Sequence, residues 1–178
     1  MKPTEPTLLR RFFGGLAENT FQVELGVVDP PLIDYLTDLL TRFVHCERIY
    51  RIRDLAGKPL HEVAGMMSEA QQRIGDARRE THRQIGDFTL FWTGVYPEAL
   101  GRLREESRGG PLVDYREEGK KAYWIASTIR SDDPDEAASA VLARLSRQYE
   151  LCAYGLREIR RHWESPGDEP PPRPFLIN

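Results

Sequence analysis

Between Arg78 and Leu100 the chain reads RRETHRQIGDFTLFWTGVYPEAL, and here the residue types able to do chemistry lie closest together. Glu80 and Asp87 are seven residues apart with Gln84 between them, so on a helix they share one edge of a face. His82 and Trp92 border the opposite edge. Two carboxylates and an imidazole at the rim of an aromatic core can act as acids, as ligands for a divalent metal, or as the polar wall of a small-molecule pocket. A boundary helix whose acids pair with arginines such as Arg83, and whose histidine is partly exposed, accounts for the same residues without chemistry. A third carboxylate, Glu47, lies within about 20° of the centre of the apolar stripe of an earlier helix. A carboxylate so placed must be paired, hydrogen-bonded, protonated or bound to metal, and Arg51 one turn away is its simplest partner. Glu47, Glu80, His82, Asp87 and Trp92 are therefore the candidate ligand-binding residues.

The helix that carries most of them is set by aromatic spacing. With Phe88 at the centre of a face, Ala77, Thr81, Gln84, Ile85, Phe91, Trp92 and Val95 fall within roughly 60° of it. Each large aromatic buries roughly 150–250 Å², so this stripe must face a core. The pattern predicts a helix from Ala77 to Tyr96, ended by Pro97, and a second one from Pro97 to Ser107.

The other elements read the same way. Thr7 caps a helix from Leu8 to Ala17. Phe21–Val27, FQVELGV, alternates apolar and polar residues; as a lone strand would have no partner, it is expected to lie extended over the helices. Asp29-Pro30-Pro31 starts a helix running to Arg51, with Leu32, Leu36, Leu39, Phe43, Cys46 and Tyr50 on its buried side. Pro59 opens a helix ending near Gly75. Leu112–Arg130 follows the break at Arg108-Gly109-Gly110-Pro111, and its small residues Gly119, Ala122 and Ala126 invite close approach by a neighbour. The last helix is expected from Pro134 to Trp163, because Ala138, Leu142, Leu145, Tyr149, Cys152, Leu156, Ile159 and Trp163 repeat at four and three without a slip. The fold class is all-α: an irregular bundle of five or six helices over residues 1–164, with a long C-terminal helix and an extended Pro-rich tail over 165–178.

Composition excludes several classes. The 178 residues fit one domain, and 40% hydrophobic with 30% charged residues describes a globular chain. A net charge of −3, with acids interleaved among the basic residues, argues against a nucleic-acid partner. No apolar run approaches the roughly 18–20 residues of a membrane span, so no membrane partner is expected. The N-terminus lacks an apolar segment of signal-peptide length, and Cys46 and Cys152 read as two buried thiols, which together predict a cytoplasmic location. There is no C-x-x-C, no Glu-x-x-His, no G-x-S-x-G and no phosphate loop, so no metal ligand, cofactor or catalytic residue is assigned.

Two functions follow as expectations. One is a non-catalytic binding or protein-interaction module, homodimeric through the seam of the last helix or through the apolar-tipped tail. The other is a bundle with an interior small-molecule or divalent-metal site built from carboxylates and a histidine.

Overall fold

The computed structural model describes residues 7–43, 63–101, 113–133 and 137–165. Seven α-helices make up this part of the protein, and no strand occurs among the described residues. Helix α1 (Leu8–Glu18) starts where Thr7 Oγ1 accepts from the Arg10 amide at 3.3 Å. The alternating segment after it is not extended. Asn19–Glu24 forms a π-helical turn continuous with α1, in which the Leu25 amide donates to the Thr20 carbonyl. An extended segment would have left its backbone groups unpaired, whereas the wide turn pairs them and swings Phe21 inward onto Gly155. Gly26, with φ of +67°, ends the turn.

Helix α2 (Pro30–Phe43) begins at Asp29, whose side chain accepts from the Leu32 amide and also pairs with Arg144 Nε at 2.7 Å. One residue thus caps α2 and ties its start to a helix far along the chain. Leu32, Ile33, Leu36, Leu39, Leu40 and Phe43 are buried, as their spacing predicts. The expected continuation to Arg51, with His45, Cys46 and Glu47, lies outside the described residues.

Helix α3 (Val63–Gln72) leads into α4 (Gly75–Gly94), which starts and ends two residues earlier than predicted. Pro97 opens a 3-10 turn, Pro97–Ala99, and Leu100 and Gly101 are helical; the expected continuation to Ser107 lies outside the described residues. Phe88 and Phe91 are buried, and Trp92 meets both ring edges at 6.3 and 5.5 Å between centroids.

Helix α5 (Tyr115–Thr128) is capped by Asp114, which accepts from the Arg116 and Glu117 amides, so it starts three residues later than expected. It packs closely on α4 because two glycines face large side chains: the Tyr123 ring lies over Gly86, and Tyr149 and Thr89 lie over Gly119.

The long last helix is two helices, α6 (Ser139–Arg147) and α7 (Tyr149–Glu164), joined at Gln148 with φ −109° and ψ 26°. A straight rod would have carried one end of its seam off a body of this size. The bend lets α6 pack on α5 and α7 on α4 and α1, so Leu142, Leu145, Tyr149, Cys152, Leu156 and Ile159 are all buried in one molecule. It is pinned by Ser146 Oγ donating to the Lys120 carbonyl at 2.7 Å and by the Lys120–Glu150 ion pair. Cys152 is a free, buried thiol. Pro134 and the tail from residue 166 lie outside the described residues.

A candidate binding site on a buried aspartate

Asp87 sits one residue from Gly86 on α4, at the level where α2 and α5 both press on that helix. Its side chain is 0% exposed. The sequence placed it at a solvent edge; that edge is covered, because α2 closes over one flank of α4 and Tyr123 of α5 over the other. An isolated buried carboxylate would be strongly disfavoured, and here every oxygen is engaged. Oδ1 accepts from Tyr35 at 2.6 Å and from Tyr123 at 2.7 Å. Oδ2 accepts from Nη1 and Nη2 of Arg42, both at 3.1 Å, and from Arg83 Nη1 at 3.1 Å.

Arg83 continues the network outward. Its Nε and Nη2 donate to the two carboxylate oxygens of Glu80 at 2.8 and 2.6 Å, and Gln84 Nε2 donates to the same Glu80 at 2.8 Å. Glu80 thus pairs with Arg83, as the boundary-helix arrangement requires. Two guanidiniums and two carboxylates balance, so the cluster is neutral as a whole.

The charge states are fixed by this geometry. Burial pushes the Asp87 carboxyl up, but Arg42 and Arg83, with the two tyrosine hydroxyls, outweigh it and hold it below its ordinary value. Burial likewise raises Glu80, and Arg83 outweighs it. Burial and the Asp87 charge drive Tyr35 and Tyr123 well above the usual phenol range. None of these groups changes charge near neutral pH.

The outer side of the network is the wall of a pocket of about 420 Å³. Helix α2 contributes Pro31, Asp34, Tyr35, Asp38 and Arg42. Helix α4 contributes Glu80 and Arg83, and the entry to α6 contributes Ala137, Ala138 and Val141. That last wall is held by Arg79, which is itself buried: its Nε donates to the Ile129 carbonyl at 3.0 Å and its Nη2 to the Ala137 carbonyl at 2.6 Å.

Of the five candidate residues, Glu80 and Asp87 are brought together through Arg83. His82 is not part of that site. It points elsewhere on α4 and is buried rather than partly exposed, with Nε2 meeting no polar partner among the described residues. Burial, then Arg78 and Lys121, lowers its imidazole to about 4. Trp92 belongs to the aromatic cluster with Phe88, Phe91 and Tyr96 and lines no part of the pocket. Glu47 lies outside the described residues. Among the described residues no group of three histidine, cysteine or acidic side chains is arranged to hold a metal ion.

Tyr35, Arg42 and Tyr123 were not singled out from the sequence. A signal was present: Tyr35 replaces an aliphatic residue within a leucine-rich stripe, and Gly86 directly precedes the acid on a face of large side chains. A hydroxyl in a core position asks for a buried acceptor, and a glycine there makes room for a ring.

No family model, curated protein or solved structure matches this chain.

Proposed function

We propose that the protein is a non-catalytic binding module whose pocket between α2, α4 and the start of α6 takes a small molecule. The observation that carries this is the construction of the pocket's inner wall, where two guanidiniums and a tyrosine are locked onto buried Asp87. Rigid positioning of polar groups beside an apolar wall is what a specific small-molecule site requires. The absence of catalysis is supported by the charge states: Asp87 and Glu80 stay ionised and Tyr35 stays protonated across the neutral range, so none is poised to pass a proton.

A thermal-shift screen of small polar molecules on the wild-type chain and on Ala138→Trp tests the assignment. Ala138 is exposed at the pocket wall, so a ring there fills the space without touching the core. Compounds that raise Tm of the wild type and not of the variant are expected; a ligand at 100 times its Kd adds about 2.7 kcal/mol. Hits that stabilise both proteins equally would place binding elsewhere.

The homodimer expected through the last helix has little seam left to use there, because Leu142, Leu145, Tyr149, Cys152, Leu156 and Ile159 are buried within one molecule, while Ala138 is exposed and Trp163 half-buried. Self-association would have to use the tail or another face, and sedimentation at micromolar concentration measures it. No helix among the described residues is long and apolar enough to cross a membrane. A cytoplasmic location stays a proposal resting on the reading of Cys46 and Cys152 as two thiols.

A further inference from the structure

We infer that the ligand of this pocket is a small amino-acid-like zwitterion, with its carboxylate on the guanidiniums of Arg42 and Arg83 and its ammonium on Asp34 and Asp38. This rests on the assignment of the pocket as a small-molecule site.

The network around Asp87 leaves specific groups unspent. A guanidinium has five N–H donors. Arg42 uses one on the Asp38 carbonyl and two on Asp87 Oδ2. Arg83 uses Nε and one Nη2 hydrogen on Glu80, and its Nη1 faces Asp87 and, at 3.4 Å, the Tyr35 hydroxyl. Two donors on Arg42 and one on Arg83 are left. Both side chains line the cavity, and 19% and 14% of their surfaces are uncovered. The inner end of the pocket is therefore two rigidly held guanidiniums with three N–H donors between them, enough to satisfy the two oxygens of a carboxylate.

Along α2 the pocket runs from Arg42 to Asp38 and Asp34, successive steps of four residues on one face. Four residues of helix rise about 6 Å. Asp38 uses Oδ1 on Arg10. Asp34 meets no polar partner among the described residues and is exposed. The outer end is thus acidic with oxygens to spare. A simple anion would meet Asp34, Asp38 and Glu80; a simple cation would meet Arg42 and Arg83. Only a molecule with both charges, separated by a few ångströms, satisfies both ends. Pro31, Ala137, Ala138 and Val141 offer its carbon body an apolar wall, and about 420 Å³ lies at the small end of ligand pockets, which span roughly 300–1,000 Å³.

Three probes of equal length separate the charges: 6-aminohexanoate, hexanoate and hexylammonium. Binding to the full chain is followed by NMR shifts of the Ala137, Ala138 and Val141 methyls, up to roughly 10 mM ligand, where even a millimolar Kd is measurable. The zwitterion is expected to bind at least about tenfold tighter than either single-charge probe, the factor that corresponds to 1.4 kcal/mol. Asp34→Asn, at an exposed site outside the buried network, is expected to weaken 6-aminohexanoate about three- to tenfold and leave hexanoate unchanged. Equal or tighter binding of hexanoate or hexylammonium overturns the zwitterion assignment but leaves the pocket as a ligand site. Binding of none of the three overturns the zwitterion assignment, while the Ala138→Trp screen decides the pocket separately.

Discussion

Replacing Asp87 by alanine removes the acceptor on which two tyrosines and two arginines converge. The hydroxyls of Tyr35 and Tyr123 are then left as buried donors, each worth roughly 1–3 kcal/mol when stranded. Arg42 loses its only carboxylate partner among the described residues, and Arg83 keeps only Glu80. Breaking a buried ion pair from one side costs about 3–5 kcal/mol. The two costs overlap, because the same cavity relaxes for both, so Asp87→Ala should lose about 4–6 kcal/mol. A domain of this size holds roughly 5–15 kcal/mol in total, so the variant should be close to unfolded. Asp87→Asn keeps an oxygen for the tyrosines but loses the charge and turns an amide NH2, a donor, toward the Arg42 and Arg83 N–H groups; about 2–4 kcal/mol is expected. Urea unfolding followed by circular dichroism at pH 7 measures both. The acid limb gives an independent check. The folded carboxyl is held below its ordinary value, so its contribution is complete above the unfolded pKa of about 3.9 and is lost as pH falls through the lower folded value. Asp87→Asn should flatten that limb below about pH 4. An Asp87→Ala protein within about 1 kcal/mol of wild type, as for an exposed position, would refute the network's structural role.

Three further outcomes follow from the packing and the buried titrating groups. Gly86→Ala places a methyl 2.6 Å from the Tyr123 ring and Gly119→Ala places one against Thr89 Oγ1 and the Tyr149 ring, so each should cost about 1–3 kcal/mol, while Gly15→Ala, with open space around it inside α1, should gain about 0.5–1 kcal/mol. Matched urea curves on the three variants check this. His82 ionises near 6.5 when unfolded and near 4 when folded, so its contribution is present above pH 6.5 and is lost as pH falls to about 4, on the order of 3 kcal/mol over that window; His82→Gln should remove that slope, and an NMR titration should place the imidazole near 4. Tyr35 and Tyr149 are raised above the phenol range and Cys152 is pushed up to about 12, so their contributions are complete below the ordinary pKa values and are lost as pH rises past them. Tyrosinate absorbance and thiol-reagent labelling of Cys152 should both appear together with alkaline unfolding; labelling of the folded protein at pH 8 at the rate of a free thiol would contradict the burial.

The sequence by itself determined that the chain folds as packed helices and where several of them start. Apolar residues at intervals of three and four can be hidden only on one side of a helix, and Thr7 and Asp29 satisfy the first amides wherever the rest of the chain goes. It also placed Phe88 and Phe91 in the core and Gly119 at a close contact, since those depend on one element's own face. What only the tertiary structure decided is which edges of a face are wet. Asp87 and His82 flank the α4 stripe as boundary residues do, yet α2 and α5 cover both flanks, and no local pattern tells how many neighbours a helix acquires. The bend at Gln148 and the π-turn after α1 have the same origin: an unbroken heptad or an alternating run records which residues want burial, while the curvature of the body they wrap around sets the backbone path. The site arises at that level too. Tyr35, Arg42 and Tyr123 reach Asp87 across separations of 52, 45 and 36 residues; the charge that makes the cluster neutral is completed only when α2 brings Arg42 to α4, and α5 adds the second hydroxyl.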